Sequence, residues 1–309
     1  MPSKVAITGA SGVLGMALAL EARTRGYEVV ALYRSTPIAI PGVSCRCVDL
    51  LNESQTVALL EEIRPDHILH AAAEVRVDWC EEHPEEAVRA NVDASIALAQ
   101  YAARTNTGLL YISTDSVFDG TGRNYKESDP PSPVNVYSTS KLHGEIETLG
   151  IHPGAVVART NFYGWTGRHK TGLVDWILKN LQATIELPGF TDAIFSPLLV
   201  NDAASALLDL VAFDVSGIFN VVGSESISKF EFARRVATTF GFDSDLVRPT
   251  TVSEARMKAP RPLNTSLSIA KLASLLGYEL PDVATGLRHF AELRAGGYQQ
   301  LLDTYYPVQ

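Results

Sequence analysis

The sequence predicts an α/β protein built on a doubly wound parallel sheet, with a smaller C-terminal α/β lobe. Three observations carry this expectation. Lys4-Val5-Ala6-Ile7-Thr8 is a short β run that passes through a glycine-rich turn, Gly9 to Gly15, into an apolar helix reaching about Arg25. Further β runs at 28–33, 44–48, 66–70, 109–112 and 155–160 alternate with helical stretches, the pattern of parallel strands joined by crossover helices. Beyond Asn161 the alternation loosens. There 218–222 reads as another strand, 173–181, 228–240 and 268–276 as helices, and 201–213 as a helix packing back on the first part. The expected division is a dinucleotide-binding domain over 1–160, with returning elements at about 195–222, and a mainly substrate-binding lobe over 161–309.

The first turn has the spacing G-x-x-G-x-x-G. Its glycines permit a tight turn and close backbone approach, and the helix that follows presents N–H groups and a positive dipole end to a diphosphate. Gly9, Ser11, Gly12, Val13, Leu14 and Gly15 are therefore candidate cofactor contacts, against the plainer reading of a turn that only packs tightly. The second strand ends in Arg34-Ser35-Thr36, where folds that select NAD carry a carboxylate for the ribose 2′-hydroxyl. A guanidinium pairs instead with a 2′-phosphate. Arg34 thus favours NADP(H) over NAD(H), the alternative being an exposed arginine with no ligand.

The third strand ends in Asp49-Leu50, placed to meet an adenine edge, although Asp49 could equally cap the helix beginning near Glu53. The fourth ends in Ala71-Ala72-Ala73, whose small side chains leave room for a flat ligand. His67 and His70 read as satisfied core or edge histidines. Glu81 to Glu86 reads as a solvated helix start, its carboxylates in the favourable first turn, and the helix runs through Asn91 to about Arg104. Asn91 suits a place beside the cofactor and, equally, a polar residue holding two helices together.

The fifth strand leads to Thr114, and a later helix carries Tyr137 and Lys141, four apart and so on one face. A free phenol titrates near pH ~10, and a fixed ammonium beside it is expected to pull that value down. Phenol, amine and hydroxyl together make a proton-handling group. Tyr-x-x-x-Lys alone arises often by chance on a surface helix; its company here gives it weight.

The 309 residues carry a net charge of −9, which argues against nucleic acid as the main partner. Single arginines and helix N-termini still suit a phosphate-bearing ligand. No apolar run approaches the ~20 residues that span a bilayer, and the N-terminal residues do not resemble a signal peptide. Cys45, Cys47 and Cys80 form neither a paired framework nor a metal spacing, so the expectation is a cytoplasmic protein without a metal. Cys45-x-Cys47 suits a strand better than a redox role. A homodimer is compatible with all of this.

Thr8 to Gly15, Thr114 and Tyr137-x-x-x-Lys141, in that order, resemble the extended short-chain dehydrogenase/reductase superfamily, whose sheet is Rossmann-like. Ser113 to Gly120 and Asn135 to Glu145 resemble its dTDP-4-dehydrorhamnose reductase branch, as does Arg261 to Ser268 followed by Lys271-Leu272. The likeness spans most of the chain, weakest over 164–192 and the final twenty or so residues. It implies NADPH-dependent reduction of the keto group of a nucleotide-linked 4-keto-6-deoxysugar. Tyr137 then donates the proton, Lys141 lowers the phenol's pKa and holds the nicotinamide ribose, and Thr114 hydrogen-bonds the carbonyl oxygen. It also implies that Val75 and Val77 flank the sugar and that Asn161 and Phe162 line its site. Arg261 contacts the substrate diphosphate by the same likeness, a surface salt bridge being the equal alternative.

Three departures from the branch stand out. Ser116 replaces the usual tyrosine, Ser138 the usual glycine, and Phe195-Ser196-Pro197 the usual Gly-Ser-Pro-Thr segment. They leave the sugar open. Dehydratases on this fold generally have Thr-Asp-Glu where this chain has Thr114-Asp115-Ser116, so the base for elimination is missing. An epimerase remains an alternative. So does a non-catalytic NADP-binding regulatory subunit, since the methionine adenosyltransferase beta subunit resembles the same branch; intact Tyr137 and Lys141 argue against it.

Overall fold

In the computed structural model, which describes residues 2–167 and 171–307, the chain alternates strand and helix as expected. It begins β1 (Lys4–Thr8), α1 (Val13–Thr24), β2 (Glu28–Tyr33), β3 (Ser44–Cys47), α2 (Glu53–Ile63) and β4 (His67–His70). Next come α3 (Val77–Glu82), α4 (Pro84–Val88), a π-helical turn (Arg89–Asp93) and α5 (Ala94–Thr105). β5 (Gly108–Thr114), α6 (Val136–Ile151) and β6 (Val156–Thr160) complete the regular alternation.

The second half runs β7 (Phe162–Tyr163), α7 (Leu173–Gln182), β8 (Leu187–Phe190), β9 (Ile194–Phe195), β10 (Leu198–Leu199) and α8 (Val200–Ala212). It continues with β11 (Gly217–Val221), β12 (Ile227–Ser228), α9 (Lys229–Thr239), β13 (Val247–Thr250), α10 (Ala270–Leu276), α11 (Val283–Ala295) and α12 (Tyr298–Thr304).

Seven parallel strands form one sheet in the order β11-β6-β5-β4-β1-β2-β3. The order reverses between β1 and β4, and at such a point the loops leaving the carboxyl ends of adjacent strands part to leave a crevice. β11 returns from the second half to pair with β6, and α8 packs against α1, as the sequence led us to expect. None of the helices among the described residues is long and apolar enough to cross a membrane.

The helix expected from Glu81 to Arg104 is broken. His83 leaves helical geometry, and Pro84, which has no N–H to give, starts a new helix instead of continuing the old one. The π turn follows at Asn91. Short ladders in the second half escaped the sequence reading: β8 with β13, β7 with β10 and β9 with β12. Leu187-Pro188-Gly189-Phe190 has no period to read and holds two residues unfavourable to strands.

One buried ion pair fastens the sheet to α6. Arg159 on β6 grips Glu145 through Nε (3.1 Å) and Nη2 (2.7 Å), both side chains are 2% exposed, and Ser113 on β5 donates to the same carboxylate. Removing one partner strands a charge in low dielectric. Glu145→Ala should therefore cost about 3–5 kcal/mol of unfolding free energy in urea, and pairing it with Arg159→Met should recover a large part of that loss. A single-mutant loss below about 1 kcal/mol would contradict a structural role for the pair.

Candidate active site

The crevice at the strand reversal is shaped by backbone contact. Gly9 has φ +64°, and a Cβ there would lie 2.7 Å from the Ala72 backbone, while one on Gly15 would overlap the Gly9 carbonyl. Only glycine allows the two loops to meet this closely. Gly12, the N-cap of α1, has no side chain to bond the first-turn N–H groups, so those donors remain for a ligand.

Beneath them the Thr8 hydroxyl accepts from Ala72 N (3.1 Å) and lies 2.8 Å from His70 Nδ1. Burial, with the Lys141 charge, pushes His70 down to about 3, so its ring is neutral. Ser95 Oγ, 3.2 Å from Nε2, donates to the Asn91 carbonyl. The consistent donor order has Thr8 giving to Nδ1 and Nε2–H giving to Ser95. His70 is thus a satisfied core histidine.

Around the rim, Arg34 is exposed and its guanidinium meets no hydrogen-bond partner among the described residues. Asp49 is not the cap of α2. Asn52 holds that place by accepting from Gln55 N, and the Asp49 carboxylate accepts from Leu51 N instead. Leu50 packs on the core, and Ala71, Ala72 and Ala73 are half-buried along the crevice. Asn91 takes the second of its two readings: its amide is engaged by both Glu74 backbone groups (2.8 and 3.0 Å) and by Ser140 Oγ (2.9 Å). It therefore fixes the 73–75 loop to α6.

Tyr137 lies in the first turn of α6, whose N-cap Asn135 accepts from Ser138 N. Burial raises the phenol well above its usual pKa; the nearby Thr114 hydroxyl opposes this and the Asp115 charge adds to it. Lys141 sits one turn on, 3% exposed, with Nζ 4.0 Å from the centre of the Tyr111 ring. Burial lowers it to about 7, against the upward pull of Glu145.

The expected depression of the phenol by its lysine neighbour is absent here. Spacing put the two on one face, but the Lys141 stem carries the ammonium onto the Tyr111 ring and towards Glu145. The sequence pattern fixed the Cβ positions and not that direction.

Thr114 accepts from Ser116 N (3.1 Å) and donates to Asp115 Oδ1 (3.2 Å). Asp115, 2% exposed, is the residue the sequence reading missed. It also accepts from Ser116 Oγ (3.2 Å), Asn161 Nδ2 (2.8 Å) and Thr265 Oγ1 (2.6 Å). Burial raises its pKa against these bonds, and Lys229 contributes a favourable charge nearby. Its place beside Thr114 was the available signal; Thr265 and Lys229 offered none beyond the former's position in the Arg261–Ser268 stretch.

The other proposed substrate residues divide. Val75 is 59% exposed on the rim, Val77 is half-buried at the start of α3, and Phe162 is half-buried on β7. Arg261 takes its salt-bridge reading: Nη2 lies 3.0 Å from Asp78 Oδ1, and Nη1 donates to the Ala259 carbonyl. Of the three departures, Phe195 turns into the core against Phe232, and Ser138 Oγ is buried with no hydrogen-bond partner among the described residues. Ser116 is spent on Asp115.

A glycine turn at the sheet reversal, with threonine, tyrosine and lysine gathered at the ends of β5 and α6, defines a short-chain dehydrogenase/reductase of the extended kind. Within it, the chain belongs to the family described as RmlD substrate binding domain, which matches residues 3–294. It is 31% identical over 287 residues to the probable low-salt glycan biosynthesis reductase Agl14 of Haloferax volcanii, covering 91% of this chain and 95% of that one. It is 34% identical to the methionine adenosyltransferase 2 subunit beta of Xenopus laevis, covering 91% and 85%. Among solved structures it resembles the dTDP-4-dehydrorhamnose reductase of Bacillus anthracis str. Ames in complex with NADP, at TM-score 0.84 and 28% identity over 94% of this chain and 99% of the other.

Lys141 titrates near 7 in the folded chain, against 10.5 for a free lysine. Between those values the unfolded state binds more protons, so this residue's contribution makes stability rise with pH and is most unfavourable below 7. Lys141→Met should remove that rise, which is on the order of a few kcal/mol. Urea unfolding of both proteins at about pH 6.5 and 9.5 measures it; equal pH dependence would contradict the assignment.

Proposed function

We propose that this protein is an NADPH-dependent reductase of the keto group of a nucleotide-linked 4-keto-6-deoxysugar, similar to dTDP-4-dehydrorhamnose reductase. The observation that carries the reading is the placement of Thr114 at the carboxyl end of β5 beside α6, whose first turns carry Tyr137 and Lys141. The crevice suits a dinucleotide: a glycine cradle that any Cβ would fill, an uncapped helix start for the diphosphate, and a free guanidinium for a 2′-phosphate. Residues 9–15 hold the diphosphate, Arg34 the 2′-phosphate, and Lys141 the nicotinamide ribose. The reduced nicotinamide, when bound, supplies the hydride.

The protein's part is alignment and proton supply. Burial keeps Tyr137 protonated, so it is ready as the acid that protonates the carbonyl oxygen. Thr114, whose oxygen accepts from Ser116 N, turns its one proton from Asp115 to the same oxygen as negative charge grows there. A lysine that titrates near 7 can return the proton to the phenolate. Residues from 161 onward form the sugar side, with Asn161, Phe162, Val75 and Val77 around the ring. Arg261, held by Asp78, closes that side and turns to a diphosphate only by leaving its carboxylate.

The likeness to methionine adenosyltransferase beta subunits favours a second reading, a nicotinamide-binding regulatory subunit. An absorbance assay separates the two. NADPH with a panel of 4-keto-6-deoxy nucleotide sugars should be consumed in proportion to one sugar, whereas no consumption with any of them favours the subunit. Tyr137→Phe should lower kcat by at least about 10²-fold with cofactor affinity nearly unchanged; retained turnover would remove the phenol from the mechanism. Arg34→Asp should weaken NADPH by about tenfold or more and NADH far less, and equal effects would refute the 2′-phosphate contact.

A further inference from the structure

The last residues of the chain lie beyond the 3–294 span that matches the family, and they dock beside the proposed cofactor loops. Gly297, with φ +76°, turns the chain out of α11 so that α12 runs back across α1 and α8. The Asn201 amide donates to the Tyr298 hydroxyl (3.2 Å), and Leu302, 3% exposed, enters a cleft with Val13, Met16, Trp165 and Val200.

Two buried tyrosines follow, and each reaches a different loop. The Tyr305 carbonyl accepts from Ala39 N at 2.8 Å, on the segment that leaves β2 through Arg34. The Tyr306 phenol donates to the Ser11 carbonyl at 3.1 Å, inside the glycine turn. Its ring lies so close to Gly167 that any Cβ there would overlap it. Burial pushes this phenol up to about 12, which keeps it a donor at ordinary pH.

We propose that this C-terminal strap is a positioning element for the dinucleotide, holding the glycine turn and the Arg34 segment in one fixed relation. The proposal rests on the NADP(H) reading above. β1 and β2 are paired only as far as Thr8 and Leu32, with one further bond from Ala10 N to the Leu32 carbonyl. Past that point the two loops separate, and the strap joins them again from behind. A surface ordered before the ligand arrives saves the entropy of ordering it on binding, so the strap strengthens affinity without touching the cofactor. It also bears on cofactor choice, since Tyr305 holds the segment that carries Arg34.

The test compares the intact chain, Tyr306→Phe, and a chain ending at Gly296. NADPH and NADH dissociation constants come from fluorescence titration, and amide exchange is followed in the unliganded protein. Tyr306→Phe keeps the ring and loses one hydrogen bond, so both cofactors should weaken about three- to tenfold. Exchange should quicken in residues 9–15 and not in β4 or β5. The shortened chain should weaken NADPH more than NADH, because the Arg34 segment is freed as well. Unchanged constants and unchanged exchange in Tyr306→Phe would overturn the proposal, as would lower thermal stability with affinity intact. If the shortened chain does not fold, Tyr306→Phe decides alone. An intact chain that binds neither cofactor would refute the NADP(H) reading itself, a result distinct from a strap that merely does not matter.

Discussion

The Asp115 carboxylate is the constraint on which the rest of the site depends. It accepts hydrogen bonds from Thr114, Ser116, Asn161 and Thr265, which come from the end of β5, the turn that follows it, the chain just past β6 and a segment 150 residues onward. Each donor is a group that would otherwise be buried unpaired or drift into the crevice. Burial raises the Asp115 pKa, and the donors on the carboxylate oppose that rise by favouring the charged form. The charge of Lys229 nearby acts in the same direction. The consequence is geometric: the Thr114 hydroxyl oxygen has its position set by Ser116 and Asp115.

The charges around Tyr137 have a second logic. A phenol that is hard to ionise and a lysine that is easy to deprotonate sit one turn apart on α6. Their environments push the two values apart, the phenol up and the lysine down, so the phenol keeps its proton while the ammonium gives its own up readily. Glu145 links this pair to the frame, since it raises the Lys141 value while gripping Arg159 on β6. The proton-handling group is therefore continuous with the interaction that fastens α6 to the sheet.

Much of this was legible in the sequence, because the signals are local. The β runs, the glycine turn before α1, the four-residue spacing of Tyr137 and Lys141, and the return of β11 each depend on a few neighbouring residues. What was not legible depends on distance or on direction. Asp115 finds its partners 46 and 150 residues away. Lys141 points at Tyr111, a matter of side-chain course that spacing does not carry. Asn91 and Arg261 each had two readings in the sequence; the protein partners they have, Glu74 and Asp78, lie 17 and 183 residues away along the chain. The two-residue strands and the β8–β13 pair are held by what they pack against, so no periodicity announced them.

Transfer of deuterium from the reduced cofactor tests the central claim most directly. With NADPH labelled on the transferred position and the sugar nucleotide that supports its oxidation, a reductase built this way leaves one deuterium on the former carbonyl carbon for each cofactor oxidised. Tyr137→Phe should leave almost none. A product in which no label reaches that carbon, or cofactor returned unchanged while the sugar is inverted, would contradict the account.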